Sequence, residues 1–180
     1  MEHKKIKMPN AEPYRNKHDK TGECSLTGKR AEDIFRDLAE KRGYEVRVSS
    51  REEQFNHVDF WLEKDGNRWS FDCKARKKLR REDKEPTDEF CWLEFISANG
   101  KNGWLRGEAG YISFERENGF LIVDRKLLLE LAERIVDFNA IVDRPHKALR
   151  KIYRRFQRKD QISYIEFSEI EKLEHKLWQK

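Results

Sequence analysis

The sequence predicts an α/β protein, a mixed β-sheet flanked by helices and preceded by a polar N-terminal arm. Three observations carry that expectation. Apolar residues recur at helical spacing in one early segment and alternate in several shorter ones. Two turn dipeptides, Asp65-Gly66 and Asn118-Gly119, each separate a pair of strand-like runs. The 180 residues suit one domain, and 11 Phe, 5 Trp and 5 Tyr supply a core although hydrophobic content is 37% and charged content 41%.

Residues 1–26 are polar, lack periodicity and contain Pro9 and Pro13, which reads as a flexible basic arm; 27–180 reads as a single domain. In "TGKRAEDIFRDLAEKRG" the residues Ala31, Ile34, Phe35, Leu38 and Ala39 form a helical stripe, and Gly43 supplies a stop. "YEVRVSS" alternates as a short strand. The hairpin follows, Val58 to Glu63 and Arg68 to Lys74 around Asp65-Gly66. A charged connection, 76–90, leads to the strand "CWLEFIS". The glycine-rich "ANGKNGWLRGEAG" lacks the ending of a phosphate loop and reads as a turn at the rim of the site. "YISFE" and "GFLIVD" are strands, and Asp124 caps a helix running from 125 to 138. Within 144–160, Ala148, Leu149, Ile152, Tyr153 and Phe156 fit a helix with a basic outer face, or a partly extended segment. "ISYIEF" is a last strand, and Ser168 with Glu171 makes a capping box for a terminal helix ending near Trp178.

No stretch approaches the roughly 18 apolar residues of a membrane helix, and the N-terminus has no apolar leader, so no membrane partner is expected. Cys24, Cys73 and Cys91 form no CxxC pair, which argues against a disulfide framework and a zinc knuckle. The expectation is an intracellular, cytoplasmic protein with free thiols. The net charge of +5 is mild, but it is clustered: six basic residues lie within 76–84 and seven within 147–159. Local clustering of this kind is what a polyanion needs, because affinity follows local counterion release.

A two-residue turn sets the hairpin register. Leu62 then faces Trp69, Phe60 faces Phe71, Asp59 faces Asp72 and His57 faces Lys74. One face carries Val58, Phe60, Leu62, Trp69, Phe71 and Cys73 and reads as core. The other carries His57, Asp59, Trp61, Ser70, Asp72 and Lys74 and reads as the wet side. Opposed aspartates repel, and a divalent cation such as Mg²⁺ offsets that repulsion. The plain alternative is an ordinary polar face neutralised by Lys74 and His57. Glu32 sits at the margin of the helical stripe, where it can reach across to the strands.

Glu32 on an early helix, Asp59 on a strand and Asp72-Cys73-Lys74 on its hairpin partner resemble the PD-(D/E)xK, or restriction-endonuclease-like, nuclease superfamily, with some likeness to small phage-type members. Val58 stands where the motif's name has proline, and Asp72 where glutamate is commoner. The resemblance implies a metal-dependent nuclease acting on phosphodiester bonds, in DNA more than RNA, with Mg²⁺ as cofactor and Mn²⁺ as its substitute. It implies that Asp59, Asp72 and the Cys73 carbonyl ligate the ion, with Glu32 joining directly or through water, and that Lys74 orients or deprotonates the attacking water. Arg76, Lys77, Lys78, Arg80, Arg81, Arg154, Arg155, Arg158 and Lys159 would then hold the phosphate backbone. A homodimer would let two sites cut both strands. The rival reading is a catalytically silent nucleic-acid-binding protein that keeps the fold.

Overall fold

The protein is described by a computed structural model covering residues 23–80 and 82–180. Helix α1 spans Glu23–Lys41, so residues 23–26, assigned above to the arm, are helical; 1–22 lie outside the described residues. α1 buries Ala31, Phe35, Leu38 and Ala39, the stripe expected from their spacing. Gly43, at φ +79°, adopts the left-handed conformation that turns the chain out of the helix. Strand β1 (Glu45–Val48) follows, then a short helix α2 (Arg51–Phe55). Ser50 and Glu53 form a capping box on α2, a legible signal that the sequence reading passed over.

Six strands form the main sheet in the order β1-β2-β3-β5-β6-β10. These are β2 (Phe60–Lys64), β3 (Asn67–Lys74), β5 (Tyr111–Arg116), β6 (Gly119–Asp124) and β10 (His175–Gln179) beside β1. Neighbours are antiparallel except β3 and β5, which run parallel and so require a long crossover. That crossover contains β4 (Phe90–Ile96) and a 3-10 turn, Trp104–Arg106. β4 belongs to a second sheet, ordered β4-β9-β8-β7, with β7 at Asp137–Val142, β8 at Lys151–Tyr153 and β9 at Gln161–Glu166.

The main sheet is covered on both faces. Phe60, Leu62, Phe71, Cys73, Phe120 and Ile122 pack against α1. Ile112, Phe114, Leu121 and Val123 pack the other way, against Leu93 and Phe95 of β4, Ile165 of β9 and Leu128 of α3 (Arg125–Ile135). Asp72 and Lys74 pair with Ile112 and Phe114, which places them on this second face. The side of the hairpin expected to be wet is therefore enclosed, with Ser70 and Asp72 buried. A hairpin pattern reveals polarity but not which distant strand lies over it.

Three further expectations change. α3 is capped by Asp124 as expected, its carboxylate accepting from Lys126 and Leu127 amides at 2.7 and 3.1 Å, but it ends at Ile135. After the buried Val136, residues 137–142 alternate exposed and half-buried side chains and form β7. Residues 144–160 take the partly extended alternative, a 3-10 turn and β8, rather than the helix; the positive φ of Arg150 and Gln157 is incompatible with a continuous helix. At the C-terminus, helix α4 is only Phe167–Ile170, Ser168 does not cap it, and β10 replaces the expected terminal helix. Trp178 stacks on Phe35 at 5.2 Å, so burial against α1 outweighs local helix signals there.

Candidate active site

The hairpin keeps its expected register from Lys64 opposite Asn67 to Phe60 opposite Phe71. Beyond Phe60 it departs. The Asp59 amide donates to the Phe71 carbonyl at 2.8 Å, so Asp59 and Phe60 both oppose Phe71, as in a β-bulge. His57 enters this bend at φ +62°. Val58 consequently leaves the α1 face to which its alternation assigned it and is buried in the core between the two sheets. Asp59 turns its Oδ2 to the Cys73 amide, which donates to it at 2.8 Å. Its carboxylate also acts electrostatically on Asp72. The two acids thus meet through a bent strand, not through the regular ladder.

Asp72 is 1% exposed. Its Oδ1 lies 2.5 Å from Lys74 Nζ, while its Oδ2 is buried with no hydrogen-bond partner. Burial drives its pKa well above the usual carboxylate range; Lys74 opposes this and Asp59 adds to it. Burial works against the Lys74 ammonium, yet Asp72 and Asp59 outweigh it and its pKa rises. Lys74 is therefore held as a cation, which favours the orienting role over the basic one. Its Nζ also sits 5.2 Å from the Trp104 ring centroid, a cation–π contact. A cavity of about 30 Å³, lined by Lys74, Arg76, Trp92, Trp104 and Phe114 among others, leaves room for a water molecule beside the amine.

Glu32 is half-buried on α1, and its pKa is pushed up to about 7 by burial and then by Asp59. Electrostatics couple it to Asp59 and Lys74 of the hairpin, but among the described residues no three His, Cys, Asp or Glu side chains converge closely enough to ligate one ion. Cys73 points its thiol into the α1 core, where burial raises its pKa, so it could contribute to a metal only through its backbone. With every acid ionised, Glu32, Asp59 and Asp72 against Lys74 leave a formal charge of −2 (three negative, one positive). An unpartnered buried carboxylate oxygen beside a second carboxylate is a hard-oxygen donor set of the kind Mg²⁺ uses, since that ion takes one or two carboxylates and keeps several waters. The donor chemistry fits.

Two residues that the sequence reading missed join the site. Glu94 of β4 is half-buried, its pKa raised by burial and lowered by Lys74, Lys77 and Arg155. Trp104 is supplied by the glycine-rich segment, whose core is buried rather than a rim turn. Both arrive through the crossover, for which no local pattern exists. His57 stands near Lys74 and Asp59; burial first, then Lys74, lowers its pKa, and its Nε2 lies 3.2 Å from the Asn102 carbonyl. Trp61 is taken by Arg68 and Arg47, 4.2 and 5.5 Å from its ring, and donates to Glu53 at 2.8 Å.

The basic residues divide. Arg76 is paired with Asp88 at 2.8 Å, and Arg155 with the fully buried Asp160, so these two serve the fold. Lys77, Lys78, Arg80, Arg154, Arg158 and Lys159 are exposed; Arg81 lies outside the described residues. The two runs, far apart in sequence, converge at β4, where Glu94 feels both Lys77 and Arg155. Trp92 of β4 donates to the Lys78 carbonyl at 3.2 Å and packs on Tyr164 of β9. No helix among the described residues is long and apolar enough to cross a membrane. Comparison of the chain with known protein families, curated proteins and solved structures finds no match in any of the three.

Proposed function

We propose that the chain is a metal-dependent nuclease that hydrolyses phosphodiester bonds in DNA, with Mg²⁺ as its ion and Mn²⁺ able to replace it. One observation supports this reading: half-buried Asp59 stands beside buried Asp72, one of whose oxygens is unpartnered among the described residues while the other is ion-paired with Lys74. Asp59 and Asp72 would hold the ion, with the Cys73 carbonyl and, through water, Glu32. When bound, it supplies charge to the scissile phosphate and acidity to water.

The chain's own groups do the rest. Lys74 presents a fixed ammonium that can orient water or donate to a phosphate oxygen. Glu32, titrating at about 7, can exchange a proton near neutrality. Exposed Lys77, Lys78, Arg80, Arg154, Arg158 and Lys159 hold the phosphate backbone, which positions a strand without reading its sequence.

The test is nicking of supercoiled plasmid and branched DNA in Mg²⁺, with an RNA of matched length in parallel. Asp72→Asn and Lys74→Ala should each lose about 10²–10⁴-fold in rate. DNA binding that ignores metal, with no cleavage of any substrate, points instead to a silent nucleic-acid-binding protein on the same fold.

A further inference from the structure

Backbone binding leaves one surface feature without a purpose. In the loop between β8 and β9, Phe156 is 90% exposed, more than any other large apolar side chain in the described residues. The loop is fixed at its base. Buried Asp160 accepts from the Arg155 amide at 3.2 Å and from its guanidinium. Gln157, at φ +56°, reverses the chain directly after the ring. Arg154 and Arg158 flank Phe156 at two residues on either side; with Lys159 they are exposed and make no ion pair among the described residues. A ring held outward by a buried anchor and framed by three cations is unlike a core residue that missed its core.

The loop also stands on the side of the acid pair. Lys159 lies over Gly100, where a Cβ would fall 2.9 Å from its Cδ, so the loop packs on the glycine-rich segment that carries Trp104. Arg155 and Asp160 act electrostatically on Glu94, which in turn acts on Lys74.

We propose that Phe156 stacks on an unpaired base, with Arg154, Arg158 and Lys159 on the adjoining phosphates, so that the site takes single-stranded or locally unpaired nucleic acid in preference to continuous duplex. An aromatic ring stacks on any base and cannot reach one inside an intact duplex, whereas cations alone bind both forms. A protein partner would favour an apolar surround, and the surround here is charged. The inference rests on the nucleic-acid part of the proposed function and not on cleavage.

The experiment is fluorescence anisotropy in chelator, using the full chain with a labelled single strand, a gapped duplex and a blunt duplex. Phe156→Ala should weaken single-strand and gap binding by about 5- to 150-fold and leave the blunt duplex within about twofold. Phe156→Trp should retain the preference. Arg158→Gln should weaken all three and reduce the salt slope by about one. An equal loss on every substrate, or no loss on any, overturns the stacking role. The preference persisting without cleavage in Mg²⁺ would sink the nuclease reading alone; failure to bind any of the three would sink both.

Discussion

Glu32 shows how burial is converted into a measurable signature. Its folded-state pKa of about 7 lies above the ordinary 4.5, so the fold favours its neutral form. The associated stability is fully present below pH 4.5 and is lost as pH rises through 7. In chelator, denaturant stability should therefore fall across that window, and Glu32→Gln should flatten the fall. Identical profiles for the two proteins would mean that Glu32 is not buried against Asp59. Asp72 poses the opposite question. Among the described residues its one ion pair is with Lys74, and its other oxygen has no hydrogen-bond partner. An ion held at the proposed site should stabilise the fold: Mg²⁺ or Mn²⁺ at about 100 times its dissociation constant should add about 2.7 kcal/mol of stability to the native chain and little to Asp72→Asn. Equal stabilisation of both forms would place the ion elsewhere.

At the scale of elements, α1 and the 3-10 turn decide whether those residues meet. Phe35 of α1 is fully buried, within 5.2–6.3 Å of Phe60, Phe71, Phe120 and Trp178. Phe35→Ala should cost about 3–5 kcal/mol in urea unfolding and loosen Glu32 from the hairpin. Gly103 is tight for a different reason: a Cβ there would lie 2.2 Å from the Glu94 carbonyl oxygen. Gly103→Ala should push the turn off β4, cost about 1–3 kcal/mol and slow cleavage by moving Trp104 away from Lys74. A variant with unchanged melting and unchanged activity would show that this contact does not clamp the site. These elements were unequally legible. The α1 stripe and the hairpin register from Lys64 to Phe60 followed from spacing, because helix and strand periods are local; the bend at Asp59 did not. β7, β8 and β10 did not: β10 pairs with distant β6, and β7 and β8 pair with sequence neighbours but override a weak helical pattern.

The whole molecule joins a negative site to a positive surface. Two basic runs separated by some seventy positions in the chain (76–84 and 147–159) come together around β4 because β9 pairs with it and β8 follows. Nucleic-acid binding should weaken linearly in log–log salt plots. Lys78→Gln and Arg158→Gln should each reduce the slope by about 0.9 on duplex DNA. Arg76→Gln should leave the slope alone and lower stability instead, because Arg76 is already paired with Asp88. A slope change for Arg76→Gln equal to the other two would put its charge on the binding surface after all.

What the sequence by itself determined is what local geometry enforces: the face α1 buries, the turn at Asp65-Gly66, and the nearness of Asp59, Asp72 and Lys74 across one hairpin. Tertiary structure decided what those residues experience. The crossover lays β4 and Trp104 over this face, burying Asp72 and bringing Glu94 to act on Lys74, whose charge Asp72 and Asp59 uphold against burial. It also assigned Arg76 and Arg155 to buried or half-buried carboxylates and left their neighbours exposed. Proximity along a turn is written in residue spacing; burial and the resulting shift of charge depend on partners brought in by the long crossover, which no spacing encodes.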